Sequence, residues 1–349
     1  MNLSAIEYPF ATPPGTAELT KVARGVYWLR MPLPFALDHI NLWIIEDGDK
    51  VALIDTGLGD PESRGIWARV LADLDREVSK IVVTHFHPDH IGNAEWLSRS
   101  TNASVWMSAG EYLLAHAVHG QHSGYSIEAM IALFRQHGLD AARCEQLAAR
   151  GNIYARGVPN LPMQYHRLIA GDRLDIGGDE WELIAGYGHS PEHMTLYCAA
   201  RGVLISGDML LPKITTNVNV AAAMPEEDSV SRFITSIQRF AHLSHDTLVL
   251  PSHNTPFRGV QLRIEQLVAH HAERERVLLA ALDAPRTAAE LLPTLFEREL
   301  DTHQIMFAMS EAIAHLNQLL HKGALRRLQS ADGVLRFQST HAHAASVEA

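Results

Sequence analysis

Lys80-Ile81-Val82-Val83-Thr84-His85-Phe86-His87-Pro88-Asp89-His90 is the stretch from which the rest of the chain can be read. Residues 80–84 have the composition of a short buried strand, so the histidines begin where that strand runs out. Pro88 disfavours helical backbone at His87, which turns the chain and lets successive side chains converge instead of alternating between faces. Asp89 and His90 then open a new element, expected to be a helix through residues 91–97. Three imidazoles and one carboxylate in six residues make a metal site. The donors suit zinc, and also iron or manganese.

The pattern resembles the signature of the metallo-β-lactamase superfamily, His-x-His-x-Asp-His after a β-strand. A member with two metals needs three further ligands, each placed after its own strand, and candidates for all three are present. His189 follows the run 182–188, Asp208 the run 202–207 and His253 the run 247–252, each apolar with Gly or Pro nearby. The resemblance implies that His85, His87 and His189 bind one metal, that Asp89, His90 and His253 bind the other, and that Asp208 bridges them. The implied cofactors are two divalent ions, zinc first, with iron or manganese as alternatives. Water shared between two such ions loses a proton near neutral pH and becomes the nucleophile. No serine nucleophile is then required, and neither Ser190 nor Ser206 lies in a Gly-x-Ser-x-Gly turn.

Around these ligands stand residues with two readings each. Asp89 is expected to orient the attacking hydroxide as well as to bind metal, a catalytic role. His193 is either a catalytic outer-shell donor or a structural histidine. Asp55, in Asp55-Thr56-Gly57, either supports the metal loop from behind or caps a turn. Tyr187 and Lys213 are candidate substrate contacts, Lys213 for a carboxylate or phosphate, with an exposed surface lysine as the alternative. His116, His119 and His122 have near-helical spacing but no accompanying carboxylate or cysteine, so they are not expected to bind metal.

The expected fold class is α/β, a four-layer αβ/βα metallo-β-lactamase sandwich with a helical insertion and a C-terminal winged-helix-like domain. Residues 25–30, 40–46, 51–55, 167–176, 180–185, 194–199 and 203–206 read as strands, and 61–74 and 226–243 as helices. The catalytic domain would span 1–258, with an insertion at about 109–165. Tyr112, Tyr125, Met130, Phe134 and Tyr154 could give that insertion the apolar inner face of a lid, or simply pack it on the domain. Residues 259–338 read as three helices and a hairpin, and 339–349 as a disordered tail.

The chain has 349 residues, 47% hydrophobic and 20% charged, enough for a large core and two domains. Cys144 and Cys198 do not suggest a disulfide framework. The first residues do not resemble a secretory signal and no apolar run reaches membrane-span length, so the expectation is a cytoplasmic protein without a membrane partner. A net charge of −11 disfavours general attraction to nucleic acid. Residues 261–349 carry 9 Lys and Arg against 11 Asp and Glu, and the third expected helix, 302–321, has no arginine. Groove reading by the winged helix is therefore disfavoured, and buttressing the site or a homodimer contact is expected instead.

Three functions follow. The first is hydrolysis of a small acyl ester or thioester, as in the glyoxalase II-like and thioesterase branches. The second is single-strand endoribonuclease activity, from the same superfamily branch. The third is a metal-containing binding protein without turnover. The expected partner is a small-molecule substrate.

Overall fold

The computed structural model describes residues 5–340, and the chain divides into two compact units. The first, residues up to 119, 153–216 and 236–264, is a mixed α/β sandwich. Its larger sheet runs in sequence order: β1 (Leu19–Ala23), β2 (Val26–Pro32), β3 (His39–Asp47), β4 (Lys50–Ile54), β5 (Val78–Val82), β6 (Ser104–Ser108) and β7 (His166–Leu168). The second sheet has β8 (Arg173–Ile176), β9 (Asp179–Gly186), β10 (His193–Cys198), β11 (Val203–Gly207) and β12 (Leu248–Pro251) as consecutive neighbours. Pairing is antiparallel up to β4 and parallel from β4 to β7, and parallel again between β11 and β12. Parallel neighbours demand crossovers. Between β4 and β5 the crossover is α1 (Pro61–Leu74), capped by Asp60, whose carboxylate accepts from Ser63 N at 2.8 Å. Between β5 and β6 it is α2 (Pro88–Ile91) and α3 (Ala94–Thr101).

Side-chain alternation fixes the layers. Trp43 and Ile45 of β3 point with Val26, Trp28 and Ile54 into a core shared with Trp181, Leu183, Leu196, Ile205 and Leu250 of the second sheet. Their neighbours Leu42 and Ile44 point the other way, onto Ile66, Trp67 and Val70 of α1 and Ile91 and Leu97. The far side of the second sheet is tied to residues 236–239, since Tyr187 N donates to Ser236 Oγ at 2.9 Å and Arg239 to Ala185 O at 2.9 Å.

The expected single helix over 91–97 is interrupted at Gly92-Asn93. Asn93 is buried, and its Nδ2 donates to Thr56 O at 3.2 Å and Leu58 O at 2.6 Å. At Gly92 an added Cβ would lie 2.4 Å from Gly59 N, so two backbones approach there as only glycine permits. β1 has no counterpart among the sequence-based strands, because Leu19-Thr20-Lys21-Val22-Ala23 is only half-buried and weakly patterned.

The segment expected as one insertion is divided. α4 (Ala109–His119) and α7 (Ile153–Gly157) belong to the first unit, whereas α5 (Ile127–Gln136) and α6 (Ala141–Ala149) belong to the second. Tyr112 and Tyr154 are thus in one unit and Tyr125, Met130 and Phe134 in the other.

The second unit also holds residues 217–235 and the described residues from 265 to 340, so its boundary falls within α8 (Ser229–Gln238) and α9 (Val260–Ala281). It continues with α10 (Leu292–Leu295), α11 (Thr302–His321) and the hairpin of β13 (Leu325–Gln329) and β14 (Leu335–Ser339). α11 starts with a capping box between Asp301 and Gln304. Helices and a small sheet form a C-terminal domain, as expected. Ser339 closes β14, while the remainder of the expected tail, 341–349, lies outside the described residues. Among those residues no helix is long and apolar enough to cross a membrane.

Candidate metal centre

The first two histidines sit where β5 stops. Thr84 N donates to Asp55 Oδ1 at 2.8 Å, and Asp55, at φ 61°, occupies a left-handed turn at the end of β4. His87, with ψ 148°, is extended, and Pro88 starts α2, which carries Asp89 and His90 back toward the strand ends. His189 follows β9, Asp208 follows β11 and His253 follows β12. All seven expected ligands are brought together. One set, His85, His87, His189 and Asp208, and a second, Asp89, His90 and His253, each have donor atoms within 4.8 Å of one another.

In the first set, His85 Nε2 lies 2.9 Å from His87 Nδ1 and 3.2 Å from His189 Nε2, and His189 Nε2 lies 3.4 Å from Asp208 Oδ2. In the second, His253 Nε2 is 3.6 Å from Asp89 Oδ2, and His90 Nε2 is 3.7 Å from the same oxygen. Asp208 Oδ1 faces this set, 3.4 Å from His253 Nε2 and 3.7 Å from His90 Nε2. Asp208 therefore turns one oxygen to each set.

The opposite ring nitrogens are held from behind. His90 Nδ1 donates to Asp55 Oδ2 at 2.8 Å, and His253 Nδ1 to His39 O at 2.9 Å, so both rings present Nε2 to the centre. Asp55 also accepts from the Thr84 hydroxyl at 2.9 Å. Burial, followed by the neighbouring imidazoles, holds His85 well below the usual histidine range. Burial does the same to His87. At His90 burial acts downward too, but the Asp55, Asp89 and Asp208 carboxylates outweigh it and push the ring up to about 10. Burial raises Asp208, yet His253, His90 and His189 hold it well below the carboxylate range.

Such a centre fits divalent cations. His90 Nε2 and Asp208 Oδ1 are buried without a hydrogen-bond partner, an arrangement costing roughly 1–3 kcal/mol per group unless something else satisfies it. Imidazole nitrogens at near-contact distances have lone pairs converging on one point, and three carboxylates beside His90 supply negative charge for a cation. The donor set of neutral imidazole and carboxylate suits zinc, iron or manganese.

His193 is fully buried, stacked on His85 with centroids 4.7 Å apart, and its Nε2 accepts from Asp208 N at 3.1 Å. Gly207, at φ 53°, lets it approach: a Cβ there would sit 2.3 Å from His193 Nε2. Lys213 places its amine 5.1 Å from the Tyr8 ring, and Tyr187 lies under the Arg239 guanidinium at 5.5 Å. His116 Nε2 lies 3.2 Å from Pro162 O, and none of His116, His119 and His122 enters a metal-holding group among the described residues.

Three supporting residues escape a reading of the sequence. His39 is nearly buried, and besides its carbonyl bond to His253 its Nε2 accepts from Asn254 N at 2.8 Å. Asn41, fully buried, donates to Pro251 O and Asn254 O, both at 2.9 Å, and so fixes the loop of His253. Glu111, also fully buried, accepts from Phe86 N, Ser190 Oγ and Glu192 N. A polar residue inside an otherwise apolar strand could have signalled Asn41. Nothing local distinguishes Glu111 from the exposed acids common in a helical first turn.

Comparison with known proteins agrees with this geometry. The family model described as the metallo-beta-lactamase superfamily matches residues 36–253, and that of the metallo-beta-lactamase-like C-terminal domain matches residues 275–340. The chain is 25% identical to the probable metallo-hydrolase YqjP of Bacillus subtilis, over 83% of this chain and 91% of the relative. It is 22% identical to the atrochrysone carboxyl ACP thioesterase of Aspergillus fumigatus, over 76% of this chain and 71% of that protein. The crystal structure of a beta-lactamase domain protein from Burkholderia ambifaria superposes with a TM-score of 0.88 at 41% identity, covering 96% of this chain and 98% of the other.

Proposed function

The chain belongs to the metallo-β-lactamase superfamily, as a metallo-hydrolase with a His/Asp metal-binding cluster, and we propose that it uses two divalent ions, zinc by preference, to hydrolyse a small acyl ester or thioester. The observation that carries this reading is the placement of Asp208, with one carboxylate oxygen toward each histidine set. His85, His87 and His189 would hold one ion and Asp89, His90 and His253 the other. When bound, such ions supply a Lewis acid for the substrate carbonyl and a water acidified toward neutral pH.

The chain's own residues then divide the work. Asp89, whose side chain is 20% exposed, is the carboxylate of the pair that is open to solvent, and it is suited to orient the attacking water and accept its proton. His193 has its Nε2 committed to the Asp208 backbone, so in this reading it positions the bridging carboxylate and does not exchange protons with substrate. Asp55 and the His39 carbonyl fix the tautomers of His90 and His253. The reading does not rest on Lys213 or Tyr187, each of which is engaged in a cation–π contact. Thioester chemistry is supported by the thioesterase relative, and a small substrate by the acidic charge balance of the chain, which opposes binding of RNA.

The test is turnover by metal-loaded protein on a series of acyl-thioesters, acyl esters and single-stranded RNA, with Asp89→Asn protein as the blank. Thioester or ester cleavage absent from the blank is the expected result. RNA cleavage without acyl hydrolysis would overturn the reading.

A further inference from the structure

We propose that Glu111 is a positioning residue for one metal set alone, organising His85, His87 and His189 independently of the set built on Asp89, His90 and His253. The inference rests on the two-metal reading above and deepens it. Glu111 sits in the first turn of α4 and is fully buried. Its Oε2 accepts from Phe86 N at 2.9 Å, and Phe86 lies between His85 and His87. Its Oε1 accepts from Ser190 Oγ at 2.6 Å and from Glu192 N at 2.7 Å, in the loop that begins at His189. One carboxylate thus spans the two loops that carry the three histidines.

The other polar group of Phe86 is held as well. The Tyr154 hydroxyl donates to Phe86 O at 2.7 Å, and its ring stacks on the Phe86 ring with centroids 5.9 Å apart and 28° between planes. Phe86 therefore has both backbone hydrogen-bonding groups fixed by side chains, which sets the direction of the residues on either side of it. Among the described residues Glu111 makes no salt bridge to a lysine or arginine; its three partners are neutral donors. A carboxyl buried this way is costly, and burial pushes it up to about 7 against the pull of those donors. A fold needing only packing at this position would be served by an apolar residue. An acceptor of three converging donors is what loop registration needs.

The second set has different supports. His90 leans on Asp55, and His253 on the His39 carbonyl, while the bonds of Glu111 go to Phe86, Ser190 and Glu192 and to none of Asp89, His90 and His253. Glu111→Gln is nearly isosteric but turns one oxygen into a donor, which must then face either Phe86 N or the Ser190 and Glu192 donors. The loops shift apart on one side only, and outer supports of this kind are worth about 10- to 100-fold in metal affinity.

The experiment titrates metal-free wild type, Glu111→Gln and Ser190→Ala with Zn2+ against a competing chelator, counts ions bound per chain and checks the fold by circular dichroism. Wild type is expected to take two ions, and Glu111→Gln to keep one with wild-type affinity while the other weakens about 10- to 100-fold. Ser190→Ala should shift the same ion less, which keeps the test open if Glu111→Gln fails to fold. On a His253→Ala background, adding Glu111→Gln should weaken the ion that remains. Equal weakening of both ions, or of neither, in a folded variant overturns the proposal. Wild type binding a single ion would instead sink the two-metal reading and the proposal with it.

Discussion

Two groups of buried histidines occupy the molecule, one in each unit, and they have opposite chemistry. In the first unit His85, His90, His189 and His253 converge with Asp89 and Asp208, and Asp55 and a backbone carbonyl hold rear nitrogens of the set. In the second unit the rings of His271 and His315 lie 5.3 Å apart, tilted by 35°, with Phe233 against the former. All four of their ring nitrogens are buried without a hydrogen-bond partner. His270, Arg274 and Lys322 are their charged or titratable neighbours, and no acid joins the pair in a metal-holding group among the described residues. Burial pulls His271 down to about 4 and His315 to about 3. Burial and histidine density are common to both groups. Carboxylates at strand ends, and acceptors that set the tautomer, belong to one.

That contrast breaks most directly at Asp208. Asp208→Ala should remove bound metal and abolish hydrolysis together, whereas His271→Leu with His315→Leu should leave metal content unchanged by elemental analysis; wild-type activity in Asp208→Ala would end the comparison. Asp55→Asn keeps the shape but weakens the acceptor for Thr84 N and His90 Nδ1, so metal affinity should fall about 10- to 100-fold, read by chelator competition.

A pH series sharpens the other side. His271 and His315 titrate near 6.5 when unfolded and at about 4 and about 3 when folded, so the unfolded chain binds more protons in between. Their contribution is intact above pH 6.5 and is lost as pH falls through 4 and then 3. The unfolding free energy of wild type, from urea titration, should therefore drop on acidification by more than that of the His271→Leu, His315→Leu variant, with a difference on the order of a few kcal/mol. Parallel profiles would show that the pair is not buried in its neutral form. The exposed His122, from the histidine run that forms neither kind of group, should change stability by less than about 0.5 kcal/mol on mutation to Ala, with metal content unaffected.

The sequence was legible where chemistry is local. A strand that ends in a cluster of polar side chains is visible as an apolar run meeting them, as at His85–His90, and most of the strands could be read that way; His189, Asp208 and His253 came from the superfamily resemblance, and their side chains lie with the other four in two groups. What could not be read depends on partners distant in the chain. His39 supports His253 across more than two hundred positions, and Glu111 meets Ser190 across 79. The break at Gly92-Asn93 exists because Thr56 and Leu58 offer Asn93 better partners than a helix would. The division of 109–165 between units has the same origin: amphipathic helices announce that they pack, but not on what.

The candidate ligands attach to both sheets of the sandwich. His85, His87 and His90 hang from the end of β5 in the larger sheet, and His189, Asp208 and His253 from β9, β11 and β12 in the other. Both cysteines of the chain are free and buried. Ions bound at this rim would stitch the two sheets together there, doing for this protein what a crosslink does for a secreted one, while the space between the sheets is filled by the core that holds Trp43 and Trp181. Stripping the metal should then fray the sandwich from the rim that holds its chemistry.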